Sequence, residues 1–498
     1  MEINTDKDHS PTSDANSSLI DTPHENSLSY IHNLSDDLLR EIFKLYIHGS
    51  TGLEENYTLP QDILSTVCKE WRSLILNSPL LWTTIQLPLQ PRYNVATYFE
   101  RSAPALVDVS YDRSHFHWID DLYDAPSQVL DAISSNISRI RSLKIRTWAE
   151  KEATSILCAW KGKQATQLRT LEIISPYIPS DSNLFFGLTS FSDMSNLRSL
   201  IVEKFLFQGF YPLPNLIFLR VDKFNQGLED LRALVDNCRL LETLIIRQFS
   251  GSLNGAVPED SRQKIASSSL RSLSVNIDDS HETGCSCFLP FLSAPNLEYL
   301  EIAYVSNHID AHLESIFYEL TRSSNLRTLH IHSDVIWSGS LSILSSLPAT
   351  TDLHLHSGDL LSTLRIGLPY IFNTTNLKSV TLNLQTQSFY QFFSQPIALP
   401  NLRFPFFLRS PPEASDWQEF ECQIQELLGS SLAHVMPPSK ENGFLGDFLQ
   451  TQLLNETWEA WGEEDDDDDF EDYQDDFHSD DSNYSIDIHP GDYLDGWP

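Results

Sequence analysis

"LRTLEI", residues 168–173, places apolar side chains at its first, fourth and sixth positions. Similar copies follow one another at intervals of 19 to 29 residues. They begin at Ile140, Leu168, Leu197, Leu216, Leu241, Leu270, Leu297, Leu326 and Leu377, with a degenerate copy at Leu353 and Leu355 and a broken one at Leu402. The alternation that ends each copy predicts a short strand, and stretches such as residues 227–238 predict helices between strands. The sequence therefore predicts an α/β chain of repeated strands.

This repeated pattern resembles the strand segment of leucine-rich repeats. The resemblance implies an irregular solenoid over residues 135–410, whose parallel strands turn Leu and Ile inward and present the intervening residues on a concave face. The Asn that usually follows the strand is missing, and Phe205, Phe224 and Phe249 stand there instead. We therefore expect apolar packing in place of part of the hydrogen-bond ladder. The alternative is a generic α/β domain in which the copies are coincidental.

The residues between the inward positions are the candidates for binding a substrate protein. Those with side chains suited to recognition are Arg220, Arg247, Glu301, His330, His332, His354 and His356. The last four form two pairs on neighbouring strands, about 4.8 Å apart, and four imidazoles could bind a transition metal or respond to pH. A contact surface for an acidic or aromatic ligand is favoured instead, so no metal site is assigned. The arginines could meet phosphate, but they alternate with acids. Glu301 is expected to be exposed and tolerant of truncation.

Residues 28–88 carry a different, helical pattern. Ser35 is suited to cap a helix whose first turn holds two aspartates, and Leu38, Ile42 and Leu45 follow at helical spacing. After a polar insert at residues 50–58, a second helical pattern starts at Pro60 and continues to Ile75. Cys68 lies within it, followed by the cations Lys69 and Arg72, but it has no nearby His to hold it as a thiolate. We therefore expect a structural thiol and no catalytic residue.

These residues together resemble an F-box. The matching positions are Leu34, Leu38, Leu39, Ile42, Phe43, Val67, Cys68, Trp71, Arg72, Leu81 and Trp82. The resemblance implies a three-helix unit that binds the Skp-type adaptor of a cullin–RING ubiquitin ligase through these positions, Arg72 excepted, and through Leu64. Two departures concern the adaptor-binding face: Ser35 replaces the usual Pro, and the insert is longer than usual. An F-box followed by such repeats is an architecture abundant in mushroom-forming fungi.

Composition limits the partners of this chain. Its 498 residues include 69 acids and 33 bases, giving a formal charge of −36. Clustered Lys and Arg bind nucleic acids and anionic membranes, so neither partner is expected. Residues 1–26 lack the features of a signal peptide, and no apolar run approaches the roughly 20 residues of a membrane helix, which predicts a cytoplasmic or nuclear protein. The six scattered cysteines complete no zinc site, and no cofactor is expected.

The remaining segments complete the predicted organisation. Residues 1–27 and 462–498 are expected to be disordered, the latter as an acidic tail, while 89–134 form a bridge into the repeats and 411–461 a helical cap. From Glu463 onward there are sixteen acids and no Lys or Arg.

The expected function is substrate recognition for an SCF-type (Skp–cullin–F-box) E3 ubiquitin ligase. The alternative is a scaffold for protein assembly without ligase activity. In either case the chain is not expected to be an enzyme.

Overall fold

The structure is a computed structural model. It describes residues 31, 34–49, 60–87, 95–112, 127–147, 155–156, 158–174, 185–187, 191–208, 212–224, 227–249, 264–277, 288–304, 325–333, 350–357, 377–384, 406–409, 422, 425 and 433–436. All of these lie in the first of two compact units, Met1–Lys440 and Glu441–Pro498. The predictions for residues 1–27, 50–58 and 462–498 lie outside the described residues.

The chain alternates helices with many short strands. The α-helices are α1 (Asp36–Gly49), α2 (Pro60–Val67), α3 (Lys69–Leu76), α4 (Val95–Arg101), α5 (Ser127–Asn136) and α6 (Leu228–Asn237), with 3-10 turns at Pro79–Trp82, Ile137–Arg139 and Leu289–Phe291. The strands before α6 are β1 (Thr84–Leu87), β2 (Val107–Asp112), β3 (Ile140–Arg146), β4 (Lys163–Gln164), β5 (Thr170–Ile174), β6 (Phe185–Gly187), β7 (Phe191–Asp193), β8 (Ser199–Gln208) and β9 (Phe218–Phe224). Those after it are β10 (Thr243–Phe249), β11 (Ile265–Ala266), β12 (Ser272–Ile277), β13 (Leu292–Ser293), β14 (Tyr299–Tyr304), β15 (Thr328–Ser333), β16 (Asp352–Ser357), β17 (Ser379–Leu384), β18 (Phe406–Arg409) and β19 (Ala433–Met436). Among the described helices, none has the length and apolar character needed to cross a bilayer.

Most of the strands belong to one large parallel sheet. Its order is β1-β2-β3-β5-β8-β9-β10-β12-β14-β15-β16-β17-β18-β19, with β6 added beside β8. The short pairs β4–β7 and β11–β13 form two small parallel sheets. Each principal strand therefore lies beside the next one along the chain. The predicted α/β class with parallel strands is confirmed.

The register of the sheet follows the repeated leucine pattern. Leu273 pairs with Leu300, which pairs with Leu329, and the series continues through Leu353 to Val380. All five side chains are buried. The copies therefore occupy equivalent positions, including the degenerate copy on β16. In that copy the buried Thr350 precedes the strand where other copies have Leu, and its hydroxyl lies 3.4 Å from the carbonyl of Leu326.

Phe224 and Phe249 pack at the ends of β9 and β10, as predicted, whereas the side chain of Phe205 lies outside the described residues. The rings of Phe224 and Phe249 are stacked with centroids 5.7 Å apart, and Phe288 lies 4.8 Å from Phe249. All three are fully buried. Burying a large ring is worth several times the net contribution of one hydrogen bond, so this packing can replace part of an asparagine ladder.

An asparagine ladder does exist, but it lies before the strands. Asn196, Asn215 and Asn296 each donate from Nδ2 to a backbone carbonyl of the preceding turn, at 2.7 to 2.8 Å. Each stands directly before the first leucine of its copy, and that leucine amide closes a tight turn, as Leu197 does onto Met194. These side chains stabilise the turns that precede the strands.

The sheet is longer than the predicted repeat region of residues 135–410. It begins with β1 and β2, which had been assigned to the helical unit and the bridge, and it ends with β19. Within the predicted helical cap, Cys422 and Gln425 are helical, but Ala433–Met436 is a strand that pairs with β18. The all-helical prediction for residues 411–461 is therefore wrong at β19.

The helices α1 to α3 share a continuous apolar core with the sheet. Gln61 is buried and donates to the carbonyls of Leu81 and Thr84, the second of which opens β1. The Tyr98 hydroxyl of α4 donates to Asp62 of α2 at 3.0 Å. The boundary predicted near residue 88 therefore does not separate two independent cores.

Candidate functional site

Two surfaces contain the residues singled out from the sequence: the outside of helices α1 to α3, and one face of the parallel sheet. The helical surface begins with α1, which carries two apolar stripes. Leu39, Phe43 and Ile47 are buried at every fourth position, while Leu38 and Ile42 are 54% and 43% exposed. A helix that only packed on the core would need one stripe. The second stripe is left on the surface.

The predicted adaptor-binding residues divide into three groups. Leu38, Ile42 and Val67 are exposed, while Leu34, Cys68 and Trp71 are partly buried. The remaining five are buried in the core, and they are Leu39, Phe43, Leu64, Leu81 and Trp82. The prediction that these five contact a partner is corrected, because side chains buried in the core of the chain cannot contact another protein.

Aromatic residues connect α1 to α3, and α3 to α4 through the 3-10 turn that contains Trp82. Phe43 of α1 meets Trp71 of α3 edge to face, with centroids 4.7 Å apart. Trp82 donates its indole N–H to the Ile75 carbonyl at 2.9 Å, and its ring is covered by Arg101 at 4.4 Å. Tyr98 packs against the same ring. Trp82 therefore joins the helical region to α4.

Cys68 interrupts the helix that had been predicted to run through it. Its backbone is extended, with φ −154° and ψ 172°, and it ends α2 and caps α3. The Sγ atom accepts a hydrogen bond from the Trp71 amide at 3.4 Å. The Nε of Arg72 donates to the Ser65 carbonyl at 2.9 Å. This arrangement gives the thiol a structural role as a helix cap.

Among the described residues between 34 and 87, five further large apolar side chains are exposed and were not predicted as partner contacts. They are Leu45, Tyr46, Ile63, Leu76 and Leu80. Leu45 and Tyr46 extend the exposed stripe of α1 by two more positions, and Ile63 lies one turn before Val67 on α2. The helical spacing that revealed Leu38 and Ile42 also contains Leu45 and Tyr46, so this signal was available in the sequence.

On the sheet, the two candidate arginines lie in an ion-pair network. Arg220 contacts Glu203 at 2.6 Å, while Arg247 lies 3.6 Å from Glu203 and 3.4 Å from Asp222. Burial lowers the pKa of Arg220 to about 10, and the nearby Glu203 carboxylate opposes that change. The guanidinium therefore remains charged at neutral pH. Two cations facing two anions form a neutral group, which does not favour phosphate binding.

Glu301 is the centre of a second polar cluster on the same face. Its Oε2 accepts hydrogen bonds from the Ser274 hydroxyl and the Tyr299 hydroxyl, both at 3.1 Å. Its Oε1 lies 3.0 Å from Nε2 of His332. Burial, followed by the adjacent Glu301 carboxylate, raises the pKa of Tyr299 well above its usual range, so the phenol stays protonated as the donor.

The expectation that Glu301 is exposed is wrong. It lies on the predicted row of the sheet face, but its exposure is 0%, and His332 is also buried. Ala303, the Cα partner of His332, has only a methyl side chain, which leaves space for the imidazole above the carboxylate. The sequence had suggested that Glu301 and His332 belong to a broad contact surface. Because both are buried, neither can do so. Alternation along one strand does not reveal how far neighbouring side chains cover a position.

The histidine pairs lie on adjacent strands, as predicted. His330 pairs with His354, and His332 with His356, between β15 and β16. The rings of His330 and His354 stack with centroids 3.9 Å apart, and Tyr299 lies 5.0 Å from His330 on the other strand. Both stacked histidines are partly exposed, while the side chain of His356 lies outside the described residues.

The ligand atoms of Glu301, His330 and His332 all lie within 4.8 Å of one another. Two imidazoles and a carboxylate form a donor set that transition metals accept. Ser274 and Tyr299, which orient the carboxylate, were not predicted from the sequence.

Comparisons with known proteins assign neither surface. No model of a known protein family matches this sequence, and no significant match is found among curated proteins.

Proposed function

We propose that the chain is the substrate-recognition subunit of an SCF-type ubiquitin ligase. In this proposal α1 to α3 form an F-box that binds a Skp-type adaptor, which links the chain to the cullin–RING core. The strands of the large sheet form an irregular leucine-rich-repeat-like solenoid whose polar face binds a substrate protein. The chain itself performs no chemistry, because the ligase acts by holding a substrate lysine near the ubiquitin thioester.

The observation that carries this proposal is the exposed apolar stripe of α1. Leu38, Ile42, Leu45 and Tyr46 share this stripe, although the helix already has a complete buried stripe. Exposed apolar side chains grouped along one helix face are typical of protein-binding sites. Val67 and Ile63 add exposed apolar side chains on α2. The resemblance of the sequence to an F-box gives this surface its proposed partner.

The regular register of the sheet supports the proposed repeats. Equivalent residues of successive copies are Cα partners from β12 to β17. Such an arrangement produces one long face, on which each strand contributes the side chains between its buried leucines. A long face of this kind is suited to a protein or peptide partner.

Binding of a purified Skp-type adaptor to the full chain tests the proposal. Leu38→Ser with Ile42→Ser removes two exposed anchors, each worth about 2 kcal/mol or more at the centre of an interface, so a combined loss of about 4 kcal/mol should lower the affinity about 1000-fold. The matched control is Leu240→Ser, which changes a leucine that is 50% exposed but lies before β10. Equal adaptor binding by the folded double variant would contradict the proposal.

Recovery of a cullin separates the ligase from the scaffold alternative. The chain, adaptor and cullin are mixed as purified proteins and resolved by size-exclusion chromatography. A complex of all three supports the ligase subunit. A complex of chain and adaptor that excludes the cullin supports the scaffold.

A further inference from the structure

We infer that Glu301, His330 and His332 bind one divalent transition metal ion of the zinc type on the face of the parallel sheet. The sequence alone had favoured a contact surface for an acidic or aromatic ligand at the histidines, because exposed histidines on a polar face more often bind no metal ion. The inference is independent of the proposed adaptor binding, which involves α1 and α2.

Neighbouring positions on β14 and β15 bring the three ligands together. Glu301 and His330 are Cα partners on β14 and β15, and His332 follows on the same face of β15. Their donor atoms lie within 4.8 Å of one another, and the Glu301–His332 pair is already at 3.0 Å. Zinc bonds of 2.0–2.1 Å place tetrahedral ligands about 3.4 Å apart. A small side-chain rotation of the partly exposed His330 would complete the approach.

The hydrogen bonds of the Glu301 carboxylate leave its Oε1 oxygen open to a cation. Ser274 and Tyr299 both donate to Oε2 of Glu301, whereas Oε1 accepts no hydrogen bond from the described residues. The contact between Oε1 and His332 has the distance but not the alignment of a hydrogen bond. The two hydrogen bonds to Oε2 come from neutral hydroxyls, burial removes much of the hydration energy of the carboxylate, and a cation at Oε1 would offset that loss.

The surroundings resemble the outer shell of a metal site. Metal-bound carboxylates are commonly held by further hydrogen bonds, here those of Tyr299 and Ser274. The His330 ring is flanked by Tyr299 at 5.0 Å and His354 at 3.9 Å. Two imidazole nitrogens and one carboxylate oxygen favour Zn²⁺, Co²⁺ or Ni²⁺ over Mg²⁺ and Ca²⁺, which prefer oxygen ligands. A fourth position remains for water or for a side chain of a bound protein.

A cobalt titration of the full chain tests this inference. Four-coordinate Co²⁺ absorbs visible light strongly, whereas Co²⁺ bound only by acidic side chains and water absorbs weakly. This difference separates the proposed site from the acidic residues after Glu463. We expect one equivalent of Co²⁺ to give the strong spectrum, Zn²⁺ to displace it, and Zn²⁺ to raise the melting temperature.

Variants assign the signal to these residues. Glu301→Gln and His330→Asn should each lower the Co²⁺ affinity by about 100-fold or more, and Tyr299→Phe by about 10-fold. The control is His434→Asn on β19, three strands beyond β16, which should bind as the parent does. Because His330 is partly exposed, His330→Asn keeps the test valid if Glu301→Gln does not fold. A weak spectrum from the parent chain, or unchanged affinity in His330→Asn, would overturn the inference.

Discussion

The imidazole rings of His330 and His354 stack across β15 and β16, with centroids 3.9 Å apart and planes inclined by 28°. The two residues are Cα partners in a parallel pair, so they occupy equivalent positions in consecutive copies of the leucine pattern. The stacking depends on the register of β15 and β16, because a shift of one residue would turn one ring to the opposite side of the sheet.

We predict that cysteines at these positions form a disulfide. His330→Cys with His354→Cys places two Cα atoms about 5 Å apart on neighbouring strands, within the range that disulfides span. Oxidation followed by peptide mass spectrometry should detect the bond in most molecules. The matched control pairs His330→Cys with Thr381→Cys, which lies one strand further along and about 10 Å away. Equal yields from the two pairs would show that the register is wrong.

Glu301 should be important for stability. Glu301→Ala leaves the buried hydroxyl of Ser274 and the partly buried hydroxyl of Tyr299 without their acceptor, and an unsatisfied buried donor costs about 1–3 kcal/mol. We therefore expect the free energy of unfolding in urea to fall by about that amount. Glu298→Ala is the control, because its ion pair with Arg271 is largely exposed and should be worth about 0.5 kcal/mol or less. Similar losses in both variants would contradict the described cluster.

The leucine at the centre of a copy should contribute more than any residue on the face. Leu300 has no exposed surface and pairs with Leu273 and Leu329 on its two neighbours. Leu300→Ala should lower the free energy of unfolding by about 2–5 kcal/mol, as core leucine truncations do. Leu240→Ala, at a half-exposed leucine, should cost about 0.5 kcal/mol or less. Comparable losses would place Leu300 outside the core.

The repeated strands could be predicted because their signal is local. In each copy the buried and surface positions alternate along a few residues, so Leu297, Leu300 and Ile302 reveal their inward direction without knowledge of the neighbours. The degenerate copy on β16 was found by the same alternation. The helix of residues 228–237 was also found from its periodicity.

The errors concern properties that depend on more distant residues. Cys68 continues the helical spacing of α2, yet its capping geometry breaks the helix there. Strands β1 and β19 carry no complete leucine copy, and each is a strand because it can add to an existing sheet edge. Burial of Glu301 depends on Ser274 and His332, which come from two neighbouring strands. Spacing along one segment contains none of this information.

The final prediction concerns the thiol of Cys238, which lies at the end of α6 and is buried. Burial raises its pKa from 9.0 to about 12, partly opposed by a hydrogen bond involving the Leu213 backbone. Alkylating reagents attack the thiolate, so Cys238 should resist iodoacetamide at pH 8 in the native chain and react after unfolding in urea. The exposed Cys158 and Cys422 serve as internal controls and should react in both states.

The raised pKa of Cys238 also determines how the free energy of unfolding should change at alkaline pH. Between pH 9 and about 12 the unfolded thiol has lost its proton, whereas the native thiol retains it. The native state therefore binds more protons in this window, and the free energy of unfolding must fall as the pH rises through it. Cys238→Ala removes this contribution, so the parent should lose more stability than the variant between pH 8 and pH 10. A parallel decline in both proteins, together with native alkylation of Cys238 as fast as that of Cys158, would place the thiol at the surface.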